Sequence, residues 1–143
     1  MHETIRNLIR NHDICVLATA SDNQPHTSLM SYLSSEDGRT LYLLSSRSSK
    51  KYANCLRNPR VSVLIDTRTE NVDNREAACA LTIEASCVFD LPTAERARLK
   101  TDMARRLPHL SSLAAHPDSD ILTLRARTFL LLEGVERAHF EVA

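Results

Sequence analysis

Apolar and polar residues alternate along most of this chain, and the alternation predicts β-strands. The clearest run covers residues 79–90, where side chains such as Leu81, Ile83 and Phe89 take every second position. This pattern is typical of an antiparallel sheet with one buried face. The other predicted strands cover residues 14–20, 26–33, 40–45, 60–66, 121–126 and 128–133, and a short strand follows Gly134.

A second period, of three to four residues, predicts short helices between the strands. Apolar side chains share one face of a predicted helix over residues 3–11. A serine at position 48 or 49 can cap a helix over residues 50–57, which Asn58-Pro59 ends. The remaining helical segments are predicted at residues 93–107, capped by Thr93, and at residues 110–115.

The order of these elements predicts a mainly β fold with short helices. Turns at residues 22–25 and 36–39 are of hairpin length, so the early strands pair antiparallel. A small barrel closed by helices leaves no sheet edge bare. A doubly wound α/β fold is disfavoured because helices do not alternate regularly with the strands. With 143 residues, the chain is expected to form a single domain over residues 1–143.

Charge and composition narrow the classes of function. Eighteen basic and eighteen acidic residues cancel, so no dedicated nucleic-acid or polybasic membrane binder is expected. A neutral chain also favours self-association mildly. The two glycines exclude the glycine-rich loops of familiar nucleotide sites. No apolar run reaches the length of a membrane span, and the amphipathic first helix differs from a signal peptide.

Four cysteines, at positions 15, 55, 79 and 87, each lie within an apolar pattern. No two have the spacing of a C-x-x-C motif, so buried reduced thiols are expected. Together with the missing signal peptide, reduced thiols favour a cytoplasmic location as the default.

Four serines and three cations lie within seven residues between a strand and a helix, in the segment Ser45-Ser46-Arg47-Ser48-Ser49-Lys50-Lys51. Helix N-termini favour anions, and cations there oppose the helix dipole. A bound phosphate would reverse this disadvantage through charge-assisted hydrogen bonds. The alternative interpretation is a solvated loop with two surface lysines.

Four short segments resemble the pyridoxamine 5′-phosphate oxidase-like superfamily of FMN-binding split barrels. They are PHTSLM at 25–30, TLYLLSS at 40–46, SKK at 49–51 and NPRVSV at 58–63. Their order and spacing match over residues 14–66, and the strand over 79–90 fits the next barrel strand. The following helix and His116-Pro117 resemble the haem-utilisation branch. The resemblance implies an antiparallel split β-barrel that forms a homodimer with two FMN sites at the interface.

The resemblance also implies a role for each matching position. Ser28, Leu29 and Met30 would lie along the isoalloxazine ring, and Ser45 and Ser46 would lie near the ribityl chain. The phosphate would be held by Ser49, Lys50 and Lys51, and a partner strand near residues 79–81 would complete the pocket.

The implied function is an FMN-binding oxidoreductase that takes electrons from a reduced nicotinamide or similar donor and acts on a small-molecule substrate. FMN would carry the redox chemistry, so no catalytic residue is assigned. The alternatives are a non-enzymatic flavin or haem binding and utilisation protein, a deazaflavin-dependent reductase, and a cofactor-free interaction dimer.

Two departures from the family pattern qualify this expectation. Family oxidases often carry an arginine where Ser28 stands, and Arg47 or Arg57 are the candidate substitutes. The C-terminal Arg-x-His signature of true pyridoxamine phosphate oxidases is missing, so that oxidase activity is not expected.

The remaining candidates are histidines and one long loop. No two histidines have the i, i+4 spacing of a helical zinc site, so no metal site is predicted. His26 lies on the strand expected to line the flavin, and His109, His116 and His139 are the candidates for haem. The charged loop over residues 67–76, with its arginines at 68 and 75, forms either a lid over the flavin or a solvated loop.

Overall fold

Eight strands and four helices make up the fold in the computed structural model, which describes residues 1–143. The helices are α1 Glu3–Asn11, α2 Lys50–Arg57, α3 Thr93–Arg106 and α4 Ser111–Ala115. The strands are β1 Ile14–Ser21, β2 Gln24–Ser31, β3 Leu33–Ser34, β4 Thr40–Ser46, β5 Arg60–Asp66, β6 Cys79–Val88, β7 Ser119–Glu133 and β8 Arg137–Val142. Short 3₁₀ turns occur at Arg75–Ala77 and Pro108–Leu110. None of the helices combines the length and apolarity needed to cross a membrane.

All the strand pairs are antiparallel, and the order across the sheet is β2-β1-β5-β6-β7-β4-β3. The long β7 pairs with β6 on one side, and with β4 and then β8 on the other. The sheet curls until β2 approaches β4, but these two strands do not pair. The predicted antiparallel split barrel is therefore confirmed. The expectation that no sheet edge is bare is wrong, because β2 pairs with β1 alone.

The inner face of the curled sheet forms the main core. Alternating residues of every long strand point into it, and α1 contributes Ile5, Leu8 and Ile9. Helix α2 inserts Tyr52 and Cys55 at one end of the barrel. The apolar alternation read from the sequence is therefore the pattern of this interior.

The outer face of the sheet has two unlike halves. Over β3, β4 and the first part of β7, helices α3 and α4 cover a second cluster formed by Leu33, Leu44, Met103, Leu107 and Ile121. Over the other strands, one row of aligned side chains crosses six strands without a helix above it. This outer row consists of Leu29, Val16, Leu64, Thr82, Leu130 and Phe140.

Several predicted boundaries need correction. The strand predicted over residues 26–33 is instead two strands, β2 and the short β3. Strand β2 begins earlier than predicted, at Gln24, because the preceding turn occupies only Asp22 and Asn23, both with positive φ. The strands predicted at 121–126 and 128–133 form one strand, β7, with a register shift in its pairing to β6. A bulge inserts an extra residue and reverses the alternation, which makes one strand look like two.

Two side-chain expectations also change. Thr93 is the first residue of α3 rather than its cap, since Pro92 occupies the cap position without a side-chain hydrogen bond. Cys15, Cys55 and Cys87 are buried as expected, but Cys79 is only half-buried because it lies at the start of β6.

Candidate anion site at the start of α2

The segment between β4 and α2 is organised by its own hydroxyl groups. The Oγ atoms of Ser45 and Ser49 lie 2.8 Å apart, as do those of Ser46 and Ser48. Ser49 caps α2, since its Oγ accepts the Tyr52 backbone N–H at 3.2 Å. The sequence-predicted serine cap is therefore Ser49, and the predicted bounds of α2 are confirmed.

Lys50 and Lys51 occupy the first two positions of α2, where the helix dipole disfavours a cation. Lys50 is exposed and Lys51 is half-buried. Neither lysine forms an ion pair, and the first turn of α2 holds no acidic residue. Two lysines without an ion pair therefore directly follow the hydroxyl cluster along the chain.

A buried carboxylate lies beside this segment. Asp120 is the register partner of Ser45 across β4 and β7 and is only 4% exposed. Its Oδ2 accepts the Tyr52 hydroxyl at 2.8 Å and lies 3.5 Å from Arg47 Nε, and its Oδ1 lies 3.2 Å from Arg96 Nε. Burial raises the pKa of Asp120, but the Tyr52 hydroxyl, the Ile121 amide and the two arginines outweigh it and hold the pKa below its ordinary value.

Sequence reasoning missed Asp120. Its partners Tyr52 and Arg47 are far away along the chain, the Tyr52 pair by 68 positions. Locally it follows a polar turn and precedes an apolar strand, which is also the pattern of an ordinary surface residue at a strand start. Only the pairing of β4 with β7 brings it to the site.

On β2, the three residues predicted to line a ring do not share one face. Ser28 is half-buried, with its Oγ 3.3 Å from His26 Nε2, and Met30 is buried on the same inner side. Leu29 points to the outer face and is 74% exposed. Met30 is part of the main core, whereas Leu29 begins the outer row.

Both candidate substitutes for the family arginine have carboxylate partners. Arg47 contacts Asp120, as described above, and Arg57 Nη1 lies 3.6 Å from Asp22 Oδ2. Arg57 sits at the C-terminal end of α2, away from the lysines. Of the two, only Arg47 belongs to the segment that carries the hydroxyls.

The long loop after β5 is tied to the body of the protein. Its Glu70 carboxylate lies 2.5 Å from His12 Nε2 at the end of α1, and Arg75 donates to the Arg68 carbonyl at 3.1 Å. Arg68 in turn pairs with Asp66. The lid and the solvated loop both stay predictions.

The candidate haem histidines have separate partners. His109 Nε2 lies 2.8 Å from Ser31 Oγ, His116 Nδ1 accepts the Asp118 amide at 3.1 Å, and His139 Nε2 lies 2.9 Å from Glu141 Oε2. No three residues of the metal-ligating types are arranged to hold a metal ion.

The curled antiparallel sheet with its opening between β2 and β4 places the chain in the split-barrel class. The family described as Pyridoxamine 5′-phosphate oxidase matches residues 1–132, and the chain belongs to this family, as its sequence predicts. Among curated protein sequences, none matches the chain significantly.

Solved structures confirm the fold at low sequence identity. A heme binding protein from Mycobacterium smegmatis is 16% identical with a TM-score of 0.81, covering 99% of this chain and 59% of its own. General Stress Protein 26 from Bacillus anthracis is 19% identical with a TM-score of 0.75, and the match covers 99% of this chain and 97% of the Bacillus protein. HutZ, the heme storage protein from Vibrio cholerae, is 16% identical with a TM-score of 0.66, and the match covers 95% of this chain and 91% of the Vibrio protein. The chain thus spans only 59% of the mycobacterial protein but nearly all of the Bacillus one.

Proposed function

We propose that this protein is a flavoprotein that binds FMN through the start of α2 and serves as a small oxidoreductase. The observation that carries the proposal is the pair Lys50 and Lys51, which stand at a helix N-terminus without a carboxylate partner. Two cations in this place oppose the helix dipole, at a cost of roughly 0.3–1 kcal/mol each in exposed positions. A bound dianion removes that cost, so the arrangement suits a phosphate.

The donors at the site fit a phosphate group. Hydroxyls of Ser46, Ser48 and Ser49 lie within one loop, and the free amides of the first turn of α2 add to them. Ammonium and hydroxyl donors to a phosphate form short, charge-assisted hydrogen bonds. In the proposal, Ser49, Lys50 and Lys51 hold the phosphate, and Ser45 and Ser46 lie toward the ribityl chain.

The rest of the cofactor would extend from the phosphate toward β2. Ser28 is half-buried and Met30 is buried on the inner side of β2, and β2 leaves one backbone edge unpaired. An unpaired strand edge offers N–H and C=O groups to a flat polar ring. Bound FMN supplies hydride and electron transfer at its ring, whereas the protein positions it and controls access.

A second copy of the chain is the proposed partner. The outer row of six aligned side chains is largely apolar, with Leu29 74% exposed and Phe140 61% exposed. Exposed apolar surface of this extent marks an interaction site. In a homodimer the row would be covered, and a partner strand near residues 79–81 would close each FMN site.

Haem is the second candidate ligand. Two of the similar structures are described as a heme binding protein and a heme storage protein, and this observation favours it. Against it, the three candidate histidines of this chain do not converge, since each has a different partner. A haem protein would show a Soret absorption band in place of the flavin spectrum.

The decisive experiment measures FMN affinity of the purified protein by absorption and fluorescence titration. The double change Lys50→Ala with Lys51→Ala is expected to raise the Kd for FMN at least about 100-fold, roughly 2.7 kcal/mol, because both ammonium groups are lost. The matched control is Arg105→Ala with Arg106→Ala, which removes two adjacent cations at the end of α3. The control should bind FMN like the unchanged protein.

Two outcomes would contradict the proposal. Equal FMN affinity in the lysine variant and the unchanged protein would reject the phosphate site. A protein that retains no FMN after the free flavin is removed would reject flavin binding altogether. The oxidoreductase role has its own test, since NADH or NADPH should reduce the bound flavin and bleach its visible absorption.

A further inference from the structure

Asp120 is the only charged residue among the buried positions of the chain. A buried carboxylate is costly unless charged and hydrogen-bonding partners surround it. Asp120 has such partners from three directions: Tyr52 of α2, Arg47 of the serine-rich loop, and Arg96 of α3. Its own strand adds the Ile121 amide, which donates to Oδ1 at 2.8 Å.

The two carboxylate oxygens divide these contacts. Oδ2 contacts the two segments of the proposed phosphate site, since it accepts the Tyr52 hydroxyl of α2 and lies near Arg47 of the serine-rich loop. Oδ1 contacts Arg96 of α3 and the backbone of its own strand. One side chain therefore connects the serine-rich loop and α2 to the rigid body of β7 and α3.

Charge alone does not account for this placement. A carboxylate beside a phosphate site repels the phosphate and lowers the affinity for it. The benefit of Asp120 must then be geometric. Tyr52 is held at both ends, because its backbone N–H donates to Ser49 Oγ and its hydroxyl donates to Asp120.

We propose that Asp120 is a positioning residue for phosphate binding: it holds Tyr52 and Arg47 so that Ser49 and the two lysines of α2 converge on the phosphate. This inference rests on the proposed FMN site and names a residue outside the segment assigned to it. Arg47 keeps 43% of its side chain exposed while contacting Asp120, so its remaining guanidinium donors stay available at the loop.

The test compares two ligands that differ only in the phosphate, FMN and riboflavin, for the unchanged protein and for Asp120→Asn. The variant keeps the side-chain volume but places an amide N–H₂ where the arginines and Tyr52 need acceptors. We expect the Kd for FMN to rise about tenfold and the Kd for riboflavin to stay within about twofold. General damage to the fold would instead weaken both ligands equally.

The matched control is Asp90→Asn. Asp90 also pairs with an arginine, at 2.7 Å from Arg125, but it is exposed and lies two residues after the end of β6. Its FMN affinity should not change. If Asp120→Asn does not fold, Tyr52→Phe removes the hydroxyl that joins α2 to Asp120 and is expected to raise the FMN Kd in the same direction.

The results separate the two proposals. Removal of the Asp120 charge alone would strengthen FMN binding. If Asp120→Asn binds FMN as tightly as the unchanged protein, or more tightly, the positioning role is therefore wrong and the phosphate site stands. If the unchanged protein binds FMN no more tightly than riboflavin, the phosphate site itself is wrong, and the role of Asp120 falls with it.

Discussion

The outer face of the sheet differs sharply between its two halves, although β7 runs through both. In the half under α3 and α4, Ile121 is 3% exposed and packs on Met103. In the other half, Leu130 of the same strand is 37% exposed and Phe140 beside it is 61% exposed. Both halves carry apolar side chains. What differs is whether a segment of the same chain covers them.

This comparison indicates how the two halves contribute to the protein. The covered half is stabilised by burial within one chain, which is worth roughly 25 cal/mol per Å² of apolar surface. The bare half can gain the same stabilisation only from a second molecule. We therefore expect changes in the covered half to affect folding, and changes in the bare half to affect self-association.

The largest effect is expected from Met103→Ala in the covered half. Met103 is the fully buried residue of α3, and its truncation leaves a cavity against Leu44 and Ile121. We expect the free energy of unfolding to fall by about 3 kcal/mol. Chemical denaturation measures this change. The control Arg98→Ala, on an exposed position of α3, should cost less than about 0.5 kcal/mol, and an equal loss in both variants would show that α3 is not packed as described.

An intermediate effect is expected from Leu64→Glu in the bare half. Leu64 lies at the centre of the outer row, between Val16 and Thr82. A carboxylate there would be buried in a dimer but solvated in a monomer, so the dimer dissociation constant should rise at least about 30-fold, roughly 2 kcal/mol. Sedimentation velocity or light scattering over a range of protein concentrations measures the molar mass of the protein, and hence its dimer dissociation constant.

The matched control for the bare half is Ser62→Glu, two residues away on the same outer side of β5 and outside the row. A chain that is monomeric before any substitution would refute the role of the outer row. Unchanged dimerisation of Leu64→Glu would place the interface elsewhere.

The smallest effect is expected from Thr123→Val, again in the covered half. The Thr123 hydroxyl is buried at 3% exposure and has no hydrogen-bond partner. Valine keeps the shape and β-branching but removes the orphan group, so the free energy of unfolding should increase by about 1 kcal/mol. Thermal and chemical denaturation both report this gain. A loss of stability would mean that the hydroxyl is bonded in solution.

Local signals predicted part of the fold with residue accuracy. The bounds of α1, α2 and β5 agree with the sequence, because a cap, a proline stop or strict alternation marks each end. The serine- and lysine-rich segment was found in the same way. By contrast, the sequence pattern predicts two strands where the structure has β7 alone, since the bulge interrupts the alternation that identifies a strand.

The amino-acid sequence by itself determined the alternation of the barrel strands, the start of α2 and the concentration of cations there, because each depends on neighbours a few positions away. Only the tertiary structure decided which half of the outer face is covered, since that depends on where α3 and α4 fold back over β4 and β7. It also decided the partner of Arg47, because strand pairing brings Asp120 beside Ser45 from 75 positions along the chain. Contacts over such separations leave no local pattern to read.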